Sequence, residues 1–159
     1  MISVDLLNIN KIQHIKLIYY ILEKCNKISF HLPGVYDNGK ILDNDIFKKY
    51  HQSNSTLIGE CFKNGAKQVV SKKYNGMKLG VCSKIFYVKP FELIKQMLEE
   101  RYLFDWLMQN NLPEDICFYK NNNLRFFSCS HDEIFYIYYE NQEDIAFLKQ
   151  NNFIYVVRK

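Results

Sequence analysis

The sequence contains few of the residues and motifs that point to a specific chemistry. Its six glycines form no glycine-rich loop at a strand-to-helix junction, so the sequence predicts no phosphate-binding loop. Its five cysteines form no Cys-x-x-Cys pair, and none stands at ligand spacing from a histidine, which argues against a zinc site. We therefore expect free thiols, no metal and no cofactor.

No apolar run reaches the length of a membrane span. Lysine and asparagine interrupt the most apolar stretch, residues 6–22, whereas a spanning helix needs about 20 apolar residues. The N-terminus also lacks the basic region and the small-residue cleavage site of a secretory signal. We expect a soluble cytoplasmic protein without a membrane partner, in a compartment that keeps thiols reduced.

The composition is that of a globular domain rich in aromatic residues. Of the 159 residues, 48% are apolar, 24% are charged and 16% are aromatic, nearly all of the last being tyrosine and phenylalanine. This composition supports a sizeable core and argues against disorder. The sequence predicts one domain over residues 1–159, with two lobes, 1–89 and 90–159, as the alternative division.

The first half predicts helices, a strand and a hairpin. Residues 8–24 have helical spacing after the candidate caps Asn8 and Asn10, and the apolar stripe consists of Ile12, Ile15, Tyr19 and Leu22. Further elements are a strand at 27–32, short helices at 44–51 and 54–65, and two strands, 67–74 and 77–89. The last two flank Asn75-Gly76, a sequence that favours a two-residue hairpin turn.

The second half predicts a long helix and a sheet. Residues 90–110 carry helical apolar spacing, and three aromatic runs follow at 116–120, 124–130 and 134–140. Such runs are typical of strands in an antiparallel meander. A helix at 142–151 and a strand in 153–159 complete the chain. We expect an α+β fold in which a mostly antiparallel sheet, made of the hairpin and the three-stranded meander, packs on a long central helix.

The run Ser130-His131-Asp132-Glu133 contains the residue types of a catalytic site. Consecutive side chains of an extended segment point to opposite faces, so the spacing is not that of a Ser-His-Asp triad. The sequence predicts a polar turn between two strands. The alternative is an enzyme in which His131 acts as an acid or base, with Glu114 or Asp115 brought near by folding.

Charge is distributed unevenly along the chain. Residues 63–95 contain eight lysines, no arginine and the single carboxylate Glu92. Such lysines protect a hairpin edge from aggregation, contact nucleic acid, or attract an acidic protein. We predict that the contact surfaces are this hairpin and the open face and turn of the meander, through Lys72, Lys73, Tyr74, Lys78, Lys84, Phe127, His131, Tyr136 and Tyr138.

The segment 112–150, LPEDICFYKNNNLRFFSCSHDEIFYIYYENQEDIAFLKQ, resembles a group of small cytoplasmic proteins from Gram-positive bacteria. Some of these proteins carry a sporulation label, which does not fit a chain without a membrane segment. The positions that match are Leu112, Pro113, Glu114, Asp115, Phe118, Ser130 and His131, with Asp132 where glutamate is more usual. The resemblance implies no reaction, and it suggests that the turn at His131 is a family feature.

The absence of a complete catalytic set, together with the tyrosine-rich sheet and the polarised charge, favours a macromolecule-binding protein. The leading hypothesis is a protein-binding inhibitor, of the kind that neutralises a toxin or serves in defence, with a partner whose surface is acidic. The alternatives are an RNA- or DNA-binding module that uses the lysines of residues 63–95, and the enzyme centred on His131. The oligomeric state stays open.

Overall fold

The computed structural model describes residues 1–138 and 141–158, and within them the strands form one antiparallel sheet. In chain order the strands are β1 (Ile2–Asp5), β2 (Lys27–Pro33), β3 (Lys67–Tyr74), β4 (Met77–Val88), β5 (Glu114–Lys120), β6 (Asn123–Cys129), β7 (Ile134–Ile137) and β8 (Tyr155–Val157). Their spatial order is β3-β4-β2-β5-β6-β7-β1-β8. The predicted α+β class with antiparallel pairing is confirmed.

Five α-helices lie between these strands in the described part of the chain. They are α1 (Lys11–Lys24), α2 (Asp45–Ser53), α3 (Ser55–Lys63), α4 (Glu92–Glu100) and α5 (Gln142–Gln150), and short 3-10 turns occur at Leu103–Asp105, Met108–Asn110 and Ser130–Asp132. Asn10 caps α1 because its side chain accepts a hydrogen bond from the backbone N–H of Gln13 at 2.9 Å. This confirms one of the two predicted caps.

The strands on both sides of residues 89–90 belong to the same sheet. The hairpin of β3 and β4 joins the meander of β5, β6 and β7 through β2, which pairs with β4 and β5. Strand β1 was not among the predicted elements. It pairs with β7 and β8, which lie far away in sequence. The predicted strand 134–140 is seen as Ile134–Ile137, and residues 139 and 140, like Lys159, lie outside the described residues.

The main core lies between one face of the sheet and the helices. The strands contribute fully buried aromatic and aliphatic side chains, and α1 buries Leu17, Ile18 and Ile21 against them. The predicted stripe of α1 is wrong, because Ile12 is 69% and Tyr19 is 57% exposed. Helix α1 carries apolar residues on more than one side. The side that faces the core includes His14, whose imidazole lies 2.7 Å from the carbonyl oxygen of Leu98.

The predicted long central helix is also wrong. Helix α4 is nine residues long and ends at Glu100. The side chain of Lys11 donates to the carbonyls of Glu99 and Glu100, so a side chain of α1 satisfies the oxygens that a longer helix would have used. The backbone then becomes extended, yet Leu103 and Trp106 remain fully buried.

Among the residues that the structure describes, no helix combines the length and the apolar character that crossing a bilayer requires.

Two buried histidines make the free energy of unfolding depend on pH. Burial lowers the pKa of His14 and of His51 below the ordinary 6.5, so between the two values the unfolded chain binds protons that the folded chain does not. Above about pH 6.5 the two histidines do not lower the free energy of unfolding. As the pH falls from there toward the folded-state pKa values, the free energy of unfolding decreases by at most about 1.4 kcal/mol per pH unit for each histidine.

Urea unfolding of the wild type and of a His14→Gln/His51→Gln variant, measured between about pH 5 and pH 8, checks this expectation. The carboxylates that titrate in the same range are identical in both proteins, so the difference in slope reports the histidines. We expect a shallower slope for the double variant below about pH 6.5. Equal slopes would contradict the expectation.

Candidate ligand pocket beneath the β3–β4 hairpin

The second face of the sheet carries a separate apolar cluster. Its buried members are Tyr74, Ile85, Cys117, Tyr119 and Phe127. They come from β3, β4, β5 and β6, where side chains alternate with those of the main core. Half-buried tyrosines and other apolar side chains of the strands surround them.

The tip of the β3–β4 hairpin folds over this second face. The Tyr74 hydroxyl lies 2.7 Å from the Ser29 hydroxyl and donates to the Asp115 carbonyl at 3.0 Å. Next to it, the Asn75 side chain accepts from the Tyr119 hydroxyl at 2.7 Å and contacts the Cys117 sulfur at 2.9 Å. Tyr74 is therefore only 1% exposed, and the hairpin tip is attached to the sheet by buried polar contacts.

A pocket of about 400 Å³ lies between this hairpin and the sheet. One strand of the hairpin, residues 77–81, lines it together with Phe47 of α2, Pro33 and Met108. Its polar lining residues are His31, Lys78, Ser83, Glu114, Asp115 and His131. An apolar pocket with a few polar groups is the usual form of a site for a small organic ligand.

A β-bulge places Asp115 in the pocket. In the pairing of β2 with β5, Ser29 faces Cys117 but His31 faces Glu114, so β5 has one extra residue between them. Asp115 adopts a left-handed backbone with φ of 51°, a conformation that costs most residues about 1–2 kcal/mol and that aspartate tolerates better. Bulges of this kind redirect a side chain, here toward His31.

The pocket contains two pairs of a carboxylate and a histidine. Asp115 accepts from the backbone N–H of Ser130 at 3.2 Å with one oxygen, and its other oxygen, Oδ2, lies 3.6 Å from His31 Nε2. Glu114 accepts from the backbone N–H of Met108 at 3.1 Å, and its Oε2 lies 3.8 Å from His131 Nε2. Both gaps are longer than a hydrogen bond. Folding thus brings Glu114 near His131, as the enzyme hypothesis required.

His31 is the most unusual member of the pocket. The residue is 2% exposed, its Nδ1 lies 3.2 Å from the Ser83 hydroxyl, and its buried Nε2 has no hydrogen-bond partner. A buried polar atom without a partner typically costs about 1–3 kcal/mol. His31 was not predicted from the sequence, because one histidine in a strand carries no motif. The alternation of Ile28, Phe30 and Leu32 with Ser29 and His31 placed it on the polar face of the predicted strand.

The thiols near the pocket are unsuited to nucleophilic chemistry. Burial raises the pKa of Cys117 and of Cys129 to about 12, so both are protonated at neutral pH, whereas the thiolate is the nucleophile. All five cysteines are free. Within the described ranges, no three side chains of His, Cys, Asp or Glu are arranged to hold a metal ion.

The predicted contact residues fall into two groups. Lys72 is 65% exposed at the side chain and lies 3.9 Å from Asp37, Lys73 and Lys78 are exposed, and Lys84 is half-buried. Tyr74 and Phe127 correct the prediction, since they are 1% and 5% exposed and offer little ring surface to a partner. Their rings are buried because the hairpin tip and the neighbouring tyrosines pack around them.

Tyr136 and Tyr138 are half-buried on the same face of the sheet. The ring of Tyr136 stacks with Phe127 at 6.0 Å and lies 6.5 Å from the ring of Tyr138. His131 is 62% exposed at the side chain and borders the pocket rather than this aromatic patch. The structure therefore separates His131 from the aromatic residues with which it was grouped.

Comparison with known proteins adds no assignment. No family model matches the chain, and no curated protein or solved structure is significantly similar to it. The resemblance of residues 112–150 to small proteins of Gram-positive bacteria therefore stays a prediction.

A glycine fixes the wall of the pocket that Phe47 forms. Gly34 has φ of 91°, and a Cβ built there would lie 2.1 Å from Cδ1 of Phe47. We expect Gly34→Ala to lower the free energy of unfolding by more than about 1 kcal/mol, because alanine disfavours this backbone and displaces the ring. Urea unfolding measures the change.

Gly80→Ala is the matched control, since Gly80 also lines the pocket and a Cβ there meets nothing within 4 Å. It should change stability by less than about 0.5 kcal/mol. Equal losses in the two variants would show that Gly34 does not fix this wall.

Proposed function

We propose that the protein binds a small organic molecule in the pocket beneath the β3–β4 hairpin. The observation that supports this most is the imidazole of His31, which is buried, lines the pocket and leaves Nε2 without a partner. Buried polar atoms are nearly always paired in native proteins, so an unpaired one calls for an explanation such as a ligand. His14 Nδ1 and Trp106 Nε1 are also unpaired, but neither residue lines this pocket. A ligand atom that bonds Nε2 of His31 would remove the free-energy cost of leaving this nitrogen unpaired.

His131 and Glu114 are the groups through which the pocket would exchange a proton with its ligand. They lie 3.8 Å apart, and His131 remains accessible to solvent. Contacts between catalytic groups are often long in a free enzyme and shorten when substrate binds. Among the hypotheses drawn from the sequence, the enzyme with His131 as acid or base therefore has the most support. Its substrate would be a small molecule with an apolar portion.

Equilibrium dialysis against a small-molecule cell extract, read by mass spectrometry, tests the proposal. We expect the wild type to retain at least one compound. The Leu79→Trp variant should lose it, because Leu79 lines the pocket and the larger side chain fills the space. The His31→Gln variant should bind the compound more weakly, since it replaces the unpaired nitrogen.

The control for Leu79→Trp is Val69→Trp, which alters a residue of the same hairpin that is 45% exposed and does not line the pocket. This variant should retain the compound as the wild type does. The proposal fails if no compound is retained, or if Leu79→Trp retains it equally well.

The second candidate function is binding of an acidic partner protein, as an inhibitor or a toxin-immunity protein. Its support is the exposure of Lys72 and Lys73 on β3 and of Lys78 beside them, at one edge of the sheet. Nucleic-acid binding has less support, because stacking on bases requires exposed rings. Of the three rings among the hairpin lysines, Tyr74 and Phe86 are buried and Tyr87 is half-buried.

A charge reversal tests this second candidate. The Lys72→Glu/Lys73→Glu variant should lose a stoichiometric partner that the wild type co-purifies at low ionic strength, and high salt should release the same partner, since exposed charges are screened. Lys16→Glu/Lys149→Glu, at exposed positions on α1 and α5, should still bind the partner. A partner retained by both variants, or none at all, would contradict the candidate.

A further inference from the structure

We propose that the ligand of this pocket is an organic cation, an amine or guanidinium carried on an apolar stem. The inference rests on the proposed function and extends it from the presence of a ligand to its chemical class. Three observations support it, which are the two incompletely bonded carboxylates, the buried Nε2 of His31 without a partner and the apolar character of the rest of the lining.

The carboxylates of Glu114 and Asp115 present unsatisfied acceptor atoms in the pocket. Each is oriented by a backbone N–H that bonds one oxygen. The other oxygen faces a histidine across a gap of 3.8 Å or 3.6 Å, which is too long for a hydrogen bond. Their side chains are 14% and 13% exposed, so their charges act through a medium of lower dielectric constant than water. A ligand with several N–H donors would supply the missing hydrogen bonds to both carboxylates.

His31, on a different strand, adds a further polar atom to the site, and its Nε2 lies 3.6 Å from Oδ2 of Asp115. When Nδ1 donates its hydrogen to the Ser83 hydroxyl, 3.2 Å away, Nε2 carries a lone pair. That nitrogen is buried, has no partner and lines the same pocket as Asp115. It would accept a third N–H from a guanidinium group, whose donors lie on separate nitrogen atoms.

The remaining lining suits an apolar stem. Phe47, Met77, Leu79, Val81 and Met108 line the pocket with Pro33. The ring of Phe47 also suits a cation, since aromatic faces attract positive charge. Lys78 is the opposing charge of the lining, but it is exposed and thus more strongly screened by water than the two carboxylates.

A bound anion or metal ion fits the pocket less well. An anion would have to lie beside Glu114 and Asp115. A metal ion would need three ligands around one point, an arrangement that is missing among the described side chains. A guanidinium, which spreads five N–H donors over three nitrogen atoms, can instead reach acceptors that do not converge, and an ammonium can bond to one of the two carboxylates.

Three probes of similar shape but different charge test the inference. They are phenethylamine, phenethyl alcohol and 3-phenylpropionate, titrated into the full chain while the amide resonances of residues 77–81 are followed by NMR. We expect phenethylamine to bind about ten-fold more tightly than the alcohol, the factor that one charge-assisted hydrogen bond typically supplies. The propionate should bind most weakly.

Glu114→Gln and Asp115→Asn should each weaken phenethylamine binding about ten-fold and leave the alcohol unaffected, which shows that the pocket remains folded. Glu23→Gln, at an exposed position on α1, should bind all three probes as the wild type does. Equal or tighter binding of the alcohol or the propionate overturns the cation inference but supports the pocket. If no probe binds, the inference is also overturned, and dialysis against cell extract decides separately on the proposed function.

Discussion

The attachment of the hairpin tip to the second face of the sheet creates the pocket and holds it in shape. The hydroxyl of Tyr74 contacts Ser29 on β2 and Asp115 on β5, strands that lie side by side in the sheet. These contacts bury the ring and bring one strand of the hairpin over the sheet, so that a pocket is left between them. Because the contacts are polar and buried, breaking one leaves another group unsatisfied, which favours the closed arrangement.

The same region contains one of the register shifts of the sheet, which also occur in the β3–β4 and β5–β6 pairs. The bulge at Asp115 and its left-handed backbone put a carboxylate opposite His31, whose Nε2 is buried without a hydrogen bond. Each feature costs free energy by itself. Strain and unsatisfied polar atoms that coincide within one pocket are more typical of a binding or catalytic site than of a purely structural region.

Features that depend on neighbouring residues were predictable from the sequence, and features that distant residues decide were not. The Asn75-Gly76 turn requires positive φ at both positions, and both have it, so the hairpin was predictable. The last carbonyls of α4 bond to Lys11, nearly ninety positions away, a contact that periodicity does not reveal, and the predicted helix was therefore too long. His131 was found because it stands in a polar run. His31 was missed, since its importance arises only when the fold places Ser83 and Asp115 around it.

The nitrogen atom of His31 that has no partner is the most direct place to test whether the pocket is a ligand site. NMR of protein labelled with ¹⁵N in its histidine side chains reports whether Nε2 carries a proton and whether its environment changes. We expect a bare Nε2 in the free protein and a shift of its resonance when a pocket ligand binds. A permanently protonated ring in an ion pair with Asp115, unaffected by any ligand that reaches the pocket, would contradict this interpretation.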